Sequence, residues 1–306
     1  MNDRNIRNKP DMSVNIAGVT LKNPIVTASG TCGYGEEYLP YYIPEELGAI
    51  TVKCVTLEPR TGNPTPRVAE TPGGMLNAIG LQNPGAAHFI AHELPWLKNR
   101  GATVIVNIAG YTVEDYVAVA KLVDASEADM IELNISCPNV KKGGIAFGVD
   151  PAAVENVTRA VKDAVRKPLI VKLSPNVADI TETARGAQAG GADALSLINT
   201  LLGMKLDIKT RRPVLANGTG GLSGPAILPV AVRMVWQVSR AVGLPIIGMG
   251  GVHDTESALE LLMAGADAVA VGTAMFADPY TPVKIRDGIE RFCRENGYAT
   301  PAELKI

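Results

Sequence analysis

The chain has 306 residues, of which 46% are hydrophobic and 20% charged, and such a composition is typical of a globular protein with a large core. A formal net charge of −2 without a long basic run argues against nucleic acid or an anionic membrane as a partner. No apolar run approaches the roughly 20 residues that span a bilayer, and the first residues are polar. Four cysteines in a chain of this length do not predict a disulfide framework. We therefore expect a soluble, cytoplasmic protein.

Eight short apolar runs recur along the chain and predict eight strands that are buried on both faces. They cover residues 24–28, 49–53, 103–108, 130–135, 169–173, 194–198, 245–249 and 268–271. Amphipathic segments that predict helices lie between the runs, at residues 113–126, 151–166, 180–189, 225–242 and 255–264. This alternation predicts an α/β fold, a (β/α)8 TIM barrel that forms a single domain over residues 1–306, with a doubly wound open sheet as the alternative.

Local signals mark the ends of several predicted helices. Asp150 and Asp254 stand where helices begin and predict N-caps. Glycines at 190–191 and at 265 stand where helices end. The phrase Gly-Ala-Asp-Ala occurs at 191–194 and again at 265–268, and we interpret it as one helix-to-strand junction that is used twice.

Two insertions interrupt the alternation, at residues 54–96 and 199–224. In a barrel both follow the carboxyl end of a strand, which is the face where barrel enzymes build their active sites. We expect these long loops to cover a site or to meet a partner. The second insertion carries four cations that suit a partner surface and a solvated loop equally well: Lys205, Lys209, Arg211 and Arg212.

Polar, small or cationic residues follow the apolar runs at their carboxyl ends. They are Ser29-Gly30, Lys53, Asn107, Asn134 to Cys137, Lys172, Asn199-Thr200, Gly250-Gly251 and Gly272-Thr273. A single asparagine or glycine at such a point serves a turn more often than a ligand. A lysine that continues a buried strand, however, needs an anionic partner or a route to solvent. In a barrel all these residues converge on one mouth, so as a set they predict a binding site.

The glycines after the seventh and eighth runs predict a phosphate site. Glycine lets backbone N–H groups approach an anion closely, and the N-terminus of a helix adds positive potential. Gly250-Gly251 and Gly272-Thr273 occupy the positions where TIM barrels commonly hold a phosphate. Gly224, at the end of the second insertion, extends the same cradle. We therefore expect a phosphorylated cofactor or substrate.

Cys137 follows the fourth run, in a polar turn with Asn134, Ser136 and Asn139. A packed cysteine is common, and no second cysteine or histidine at ligand spacing supports a metal site. The setting favours a general base or nucleophile, although a free thiol titrates at about 8.5 and needs alkaline pH or nearby cations to act as a thiolate. The other cysteines lack this setting and are predicted to be structural: Cys32, Cys54 and Cys293.

Two motifs carry a resemblance to a known family. The segment Asn-Ile-Ser-Cys-Pro-Asn at 134–139, together with Asn-Ala-Ile-Gly-Leu-Gln-Asn at 77–83, resembles the class 1 dihydroorotate dehydrogenases. The likeness extends over residues 23–273, and cysteine rather than serine at position 137 is typical of class 1. Three further segments resemble the 1B branch of that class: 28–35, 141–144 and 216–224.

The resemblance implies the FMN-bearing catalytic subunit of a 1B enzyme, which oxidises dihydroorotate to orotate in de novo pyrimidine (UMP) biosynthesis. Cys137 would take the proton from C5 while the hydride leaves C6 for FMN. The family pairs this subunit with an electron-transfer subunit that carries FAD and an iron–sulfur (2Fe-2S) cluster and passes electrons to NAD. The resemblance therefore also implies a homodimer core within a heterotetramer.

By position, the resemblance implies the groups that bind cofactor and substrate. FMN would be held by Ser29, Lys53, Cys54, Asn107, Asn134, Lys172, Ile198, Gly224, Gly250, Gly251, Gly272 and Thr273. Dihydroorotate would be held by Lys53, Asn77, Ala78, Ile79, Gly80, Leu81, Asn134, Asn139, Asn199 and Thr200. Two positions depart from the family pattern: Cys32 replaces an apolar or aromatic residue, and Cys54 replaces a small hydroxyl residue that would contact the flavin.

Two other functions are consistent with parts of this pattern. A dihydropyrimidine dehydrogenase-like flavin subunit uses a cysteine acid and a related loop, and turnover of dihydrouracil would identify it. A flavin-free phosphate-binding barrel, such as an aldolase or isomerase, would give a colourless protein that binds no FMN. A non-enzymatic scaffold is the least consistent of all with so many polar residues at strand ends.

Overall fold

The computed structural model describes residues 9–135 and 147–306, and these residues build a parallel β-barrel. Its strands, numbered 1 to 8 in chain order, are Ile25–Thr27, Ile50–Thr51, Val104–Ile108, Met130–Asn134, Leu169–Lys172, Ala194–Leu197, Ile246–Met249 and Ala268–Val271. Neighbouring strands from 2 to 8 pair in parallel, strand 8 pairs with strand 1, and a bridge between Val26 and Ala49 closes the ring. The predicted (β/α)8 barrel is confirmed, and the open sheet is wrong. That residues 1–306 form a single domain stays a prediction.

Helices alternate with the strands and cover the outside of the barrel. The α-helices are Ala86–Ala91, Glu93–Lys98, Val113–Asp124, Pro151–Lys162, Ile180–Ala189, Leu228–Ala241, Thr255–Met263, Ala274–Ala277 and Thr281–Asn296, with 3-10 helices at Glu36–Tyr38, Pro44–Glu46, Pro225–Ile227 and Pro301–Leu304. Both predicted N-caps are confirmed: the Asp150 carboxylate accepts hydrogen bonds from the N–H groups of Ala152 and Ala153, and that of Asp254 accepts one from Ser257. No helix within residues 9–135 and 147–306 combines the length and the apolar character needed to cross a membrane.

The barrel interior changes from apolar to polar along the strands. Because side chains alternate across a strand, every second residue points to the barrel axis. At the floor, Ile16 and Leu21 of the hairpin formed by Val14–Ile16 and Val19–Leu21 belong to the same buried cluster as Met130. The next inward positions of strand 4 are Glu132 and Asn134, both buried. Polar groups are therefore concentrated toward the carboxyl ends of the strands.

The amino-terminal end of the barrel carries a repeated contact that we call the aspartate clamp. Asp193, just before strand 6, accepts hydrogen bonds from the N–H of Leu169 at 2.8 Å and from Lys162 Nζ at 2.6 Å. It thus joins strand 5 to strand 6 and to the helix that precedes strand 5. The clamp recurs twice: Asp129 with Val104 and Lys98, and Asp267 with Ile246 and Lys305. The aspartate of the repeated Gly-Ala-Asp-Ala motif therefore joins neighbouring strands by hydrogen bonds.

The two insertions form one antiparallel sheet, which we call the cap sheet. Its strands lie in the order Leu201–Met204, Thr219–Ser223, Gly74–Asn77 and Val68–Thr71. The central pair joins one insertion to the other, with Asn77 opposite Gly221. A smaller hairpin is formed by Leu206–Asp207 and Arg212–Pro213. The insertions thus carry a sheet of their own where the sequence predicted only long loops.

Candidate active site

A cavity of about 270 Å³ lies at the carboxyl-terminal mouth of the barrel, between the strand ends and the cap sheet. Its wall includes most of the predicted cofactor residues: Ser29, Lys53, Cys54, Asn134, Lys172, Ile198, Gly224, Gly250, Gly251, Gly272 and Thr273. It also includes most of the predicted substrate residues: Asn77, Ile79, Gly80, Leu81, Asn199 and Thr200. Residues far apart in sequence thus share one cavity, and their binding of these ligands stays a prediction.

Four predicted site residues are not on the described wall of the cavity. Asn107 and Ala78 are completely buried. Asn107 contacts Asn134 inside the barrel, and Ala78 packs in a small apolar cluster with residues of the cap sheet. Cys137 and Asn139 lie outside the described residues, so the role predicted for Cys137 as base stays a prediction.

Sequence reasoning missed several wall residues, among them three of the cap sheet. Val68, Met75 and Ser223 reach the cavity because strands of the two insertions pair with one another, and no local pattern indicates such a pairing. Phe276 reaches the cavity from the short helix after strand 8. Thr273 Oγ1 donates a 2.7 Å hydrogen bond to Ser223 Oγ, which ties the end of strand 8 to the cap sheet.

Lys172 lies on the cavity wall and is paired inside the barrel, as predicted for a lysine that continues a buried strand. Its Nζ donates to Ser29 Oγ at 3.2 Å and lies 3.9 Å from Glu132 Oε2. Lys172 and Glu132 are only 5% and 1% exposed, so two opposite charges are held away from water. Removing charges from water is costly, and packing alone does not explain the pair. The sequence signal for Glu132 was a charged residue at an inward position of the run 130–135.

A chain of side-chain hydrogen bonds leads from Glu132 to the cavity. Ser196 Oγ donates to Glu132 Oε1 at 2.8 Å, and Asn107 Nδ2 donates to Glu132 Oε2. Asn134 Nδ2 donates in turn to Asn107 Oδ1 at 3.2 Å. Within the part of the chain that the structure describes, Asn134 Oδ1 is buried without a hydrogen-bond partner. Because an unsatisfied buried acceptor is costly, this oxygen is a candidate ligand-binding atom.

Glycines form a backbone cradle on one side of the cavity. Gly250 and Gly251 follow strand 7 with φ angles of 117° and 81°, in the region that glycine adopts most easily. A Cβ on Gly251 would lie 2.6 Å from the backbone nitrogen of Leu228, so this turn packs directly against the start of helix Leu228–Ala241. Backbone N–H groups at the start of a helix favour an anion. The arrangement fits the predicted phosphate site.

Burial keeps the thiols of two described cysteines, Cys32 and Cys293, protonated. Burial raises the pKa of the Cys32 thiol to about 12 and also raises the pKa of Cys293, so both stay protonated at neutral pH. This agrees with their predicted structural role. Cys54 is buried too, but it lies on the cavity wall and its Sγ is 3.7 Å from the carbonyl oxygen of Val55. The Cys54 thiol is thus turned toward the backbone.

The chemistry of the wall fits a flat, polar and phosphorylated ligand. Two lysines, the amides of Asn77, Asn134 and Asn199, and the glycine cradle all line one cavity. FMN combines a planar heterocycle that carries amide and carbonyl groups with a phosphate, so its ring and its phosphate both have matching groups on this wall. The residues present therefore fit this flavin.

Comparison with known proteins identifies the family. Residues 11–293 match the family model described as dihydroorotate dehydrogenase. The chain is 57% identical over 295 residues to a protein of Listeria monocytogenes serotype 4a (strain HCC23), covering 96% of this chain and 97% of the relative. It is 57% identical over 297 residues to one of Alkaliphilus metalliredigens (strain QYMF), covering 97% and 98%. Both relatives are named dihydroorotate dehydrogenase B (NAD(+)), catalytic subunit. The chain belongs to the dihydroorotate dehydrogenase family.

Proposed function

We propose that this chain is the catalytic subunit of an NAD-dependent dihydroorotate dehydrogenase, which oxidises dihydroorotate to orotate in pyrimidine biosynthesis. The observation that carries the proposal is the single cavity at the barrel mouth, where two lysines, several amides and a glycine cradle meet. Relatives that match almost the whole chain carry this name. The chemistry of the wall and the family therefore point to the same reaction.

FMN is the cofactor that we assign to this cavity. Bound FMN would supply the acceptor for the hydride. Its phosphate would be held by the cradle after strands 7 and 8, formed by Gly250, Gly251, Gly272 and Thr273. The remaining contacts would come from the other predicted cofactor residues on the wall. Lys172, which is fixed by Glu132 and Ser29, would place a positive charge where negative charge develops during the reaction.

The substrate would lie between the cap sheet and the strand ends. Amides from both sides, including Asn77 of the cap sheet and Asn199 just after strand 6, would orient the dihydroorotate ring, and the resemblance adds Asn139 to this set. Cys137 would remove the proton from C5, which is acidified by the neighbouring carbonyl group. The cap sheet would exclude water from the reacting atoms. In this arrangement the chain itself supplies orientation, charge and the base.

The test is anaerobic addition of dihydroorotate to the purified, FMN-loaded chain, followed by the visible absorbance of the flavin. Rapid bleaching would support cofactor, substrate and half-reaction together. Bleaching by dihydrouracil instead would favour a dihydropyrimidine dehydrogenase-like enzyme. A colourless protein that cannot be loaded with FMN would contradict the proposal and favour a flavin-free barrel.

The electrons would leave through a second subunit that carries FAD and a 2Fe-2S cluster and docks beside the cavity. Three exposed aromatic side chains, Tyr41, Phe276 and Tyr280, form what we call the aromatic patch. The rings of Tyr41 and Tyr280 pack edge to face at 5.4 Å. Phe276 is 57% exposed and lines both the cavity and a shallow hollow that it shares with Tyr41. The patch is thus continuous with the cavity wall, and exposed aromatic groups are typical of protein interfaces.

Tyr41→Asp is expected to impair NAD reduction by the complex with the electron-transfer subunit, because a charge at the centre of the patch opposes burial of the aromatic rings. Reduction of the flavin by dihydroorotate in the isolated chain should not change. The control is Trp236→Asp, an exposed aromatic residue on the outer helix Leu228–Ala241. Equal rates of NAD reduction for wild type and Tyr41→Asp would contradict docking at this patch.

A homodimer core would complete the heterotetramer, and the second insertion offers a surface for it. Alternate residues at and beyond the edge strand of the cap sheet expose apolar side chains: Leu202, Met204, Leu206 and Ile208. Ile208 is 88% exposed. An edge strand with an exposed apolar face tends to pair with another chain, which makes a second copy of this chain the proposed occupant.

Ile208→Lys is expected to convert the catalytic chain from a dimer into a monomer, because it buries a charge in the proposed interface. Sedimentation of the isolated chain measures this directly. Leu122→Lys, an exposed apolar residue on helix Val113–Asp124, should leave the dimer intact. A wild-type chain that sediments as a monomer of 32.2 kDa would contradict the homodimer core.

A further inference from the structure

Glu132 is not assigned to contact FMN or dihydroorotate in the proposed reaction, yet it lies among polar groups inside the barrel. It stands two residues before Asn134, whose side chain lines the cavity. Its carboxylate accepts hydrogen bonds from Ser196 and Asn107 and lies 3.9 Å from Lys172 Nζ. The carboxylate itself does not belong to the described cavity wall. Contacts of this kind indicate an indirect role, exerted through the residues that it holds.

The direction of the hydrogen bonds follows from the chemistry of the carboxylate. An ionised carboxylate can only accept hydrogen bonds, and Lys172 supplies the compensating positive charge. Asn107 must therefore turn its NH2 group toward Glu132, which leaves its oxygen to accept from Asn134 Nδ2 at 3.2 Å. The remaining polar atom of the Asn134 side chain is Oδ1, which has no partner among the described residues.

We propose that Glu132 is a positioning residue that fixes Asn134, through Asn107, with its side-chain oxygen presented to the cavity as the acceptor for an imide N–H. The inference rests on the proposed function, because dihydroorotate, orotate and the flavin ring all carry an N–H between two carbonyl groups. A free asparagine offers its donor and its acceptor equally well. The relay of Glu132, Asn107 and Asn134 makes this position specific for a donor, since two facing acceptors would both stay unsatisfied.

Three variants distinguish two possible contributions of Glu132 to ligand binding: the direction of the hydrogen bonds in the relay and the negative charge. Glu132→Leu removes both the acceptor and the charge. In Glu132→Gln, the amide oxygen can still accept the hydrogen bond from Asn107, and the NH2 group can donate a hydrogen bond to the Ser196 hydroxyl. This variant removes only the charge. Asn107→Leu interrupts the relay and leaves Glu132 paired with Lys172, so it also serves if Glu132→Leu fails to fold. The control is Thr27→Val, because Thr27 is equally buried and bonds to Thr51 in the barrel wall.

Two dissociation constants are measured for each variant: that of FMN for the apoprotein and that of orotate for the FMN-loaded protein. We expect Glu132→Leu and Asn107→Leu to weaken one of them roughly tenfold or more. Glu132→Gln and Thr27→Val should remain within about twofold of wild type. If only the binding of orotate is weakened, Asn134 is assigned to the substrate imide. If only the binding of FMN is weakened, Asn134 is assigned to the flavin imide.

Other outcomes would overturn the proposal. If Glu132→Gln binds as weakly as Glu132→Leu while Asn107→Leu binds normally, the charge of Glu132 matters and the direction of the relay does not. Normal binding by all variants would remove the role of Glu132 and leave the proposed function intact. A wild-type protein that binds neither FMN nor orotate would overturn the proposed function and this role together.

Discussion

Replacement of Cys137 by serine is expected to slow flavin reduction by dihydroorotate by a factor of about 10²–10⁴ while FMN stays bound. A thiol titrates at about 8.5, and its thiolate is a base that a serine hydroxyl cannot replace near neutral pH. The variant therefore lacks an acceptor for the C5 proton. Anaerobic stopped-flow mixing with dihydroorotate measures the rate of reduction, and the absorbance before mixing gives the FMN content.

Cys293→Ala is the matched control for this variant. Cys293 is fully buried in the outer helix Thr281–Asn296, so its loss should leave the rate of flavin reduction unchanged. The pH profile gives a second signature, because the wild-type rate should rise with pH as the thiolate forms, and this rise should be absent in Cys137→Ser. A serine variant that reduces its flavin at the wild-type rate would show that Cys137 is not the base.

Lys172→Met is expected to lower the free energy of unfolding by about 3–5 kcal/mol. The substitution leaves Glu132, which is 1% exposed, as a buried carboxylate without its cationic partner at 3.9 Å. Methionine fills much of the space of the lysine stem, so the effect comes mainly from charge and less from a cavity. Urea unfolding of the apoprotein, followed by circular dichroism, measures the loss without contribution from bound flavin.

The double variant Glu132→Gln/Lys172→Met tests the origin of that loss. Glutamine retains hydrogen bonds with Asn107 and Ser196 and removes the buried charge, so the double variant should recover most of the stability. Lys121→Met, at an exposed position of helix Val113–Asp124, should change stability by less than about 0.5 kcal/mol. A double variant as unstable as Lys172→Met alone would exclude charge pairing as the cause.

The barrel was predictable because its strands are buried on both faces. Continuous apolar runs such as 245–249 and 268–271 indicate a strand inside a covered parallel sheet, and strands 7 and 8 lie within them. The starts of two helices were predictable because Asp150 and Asp254 cap them locally. The ends were less so: the helix predicted for 151–166 ends at Lys162, since the last turn of a helix depends on contacts beyond its own sequence.

The residues of the cavity wall were predictable only where a polar or charged residue at the end of an apolar run indicated a site. Lys53 and Lys172 stood out as cations in apolar surroundings, and both line the cavity. Glu132 was missed because its place in the site depends on partners from strands 3, 5 and 6. Val68 and Ser223 were missed because they reach the cavity through pairing between two distant insertions. Contacts of that range leave no periodic pattern in the sequence.

The aspartate clamps occur at alternate junctions, between strands 3 and 4, 5 and 6, and 7 and 8. Six of the eight strands therefore form three neighbouring pairs, and each pair is joined by its own aspartate. None of the three aspartates belongs to the described cavity wall, which lies at the opposite end of the strands. Sequence changes around the mouth can therefore leave the three aspartate clamps intact, so that substrate choice and the pairing of these strands at the amino-terminal end can evolve independently.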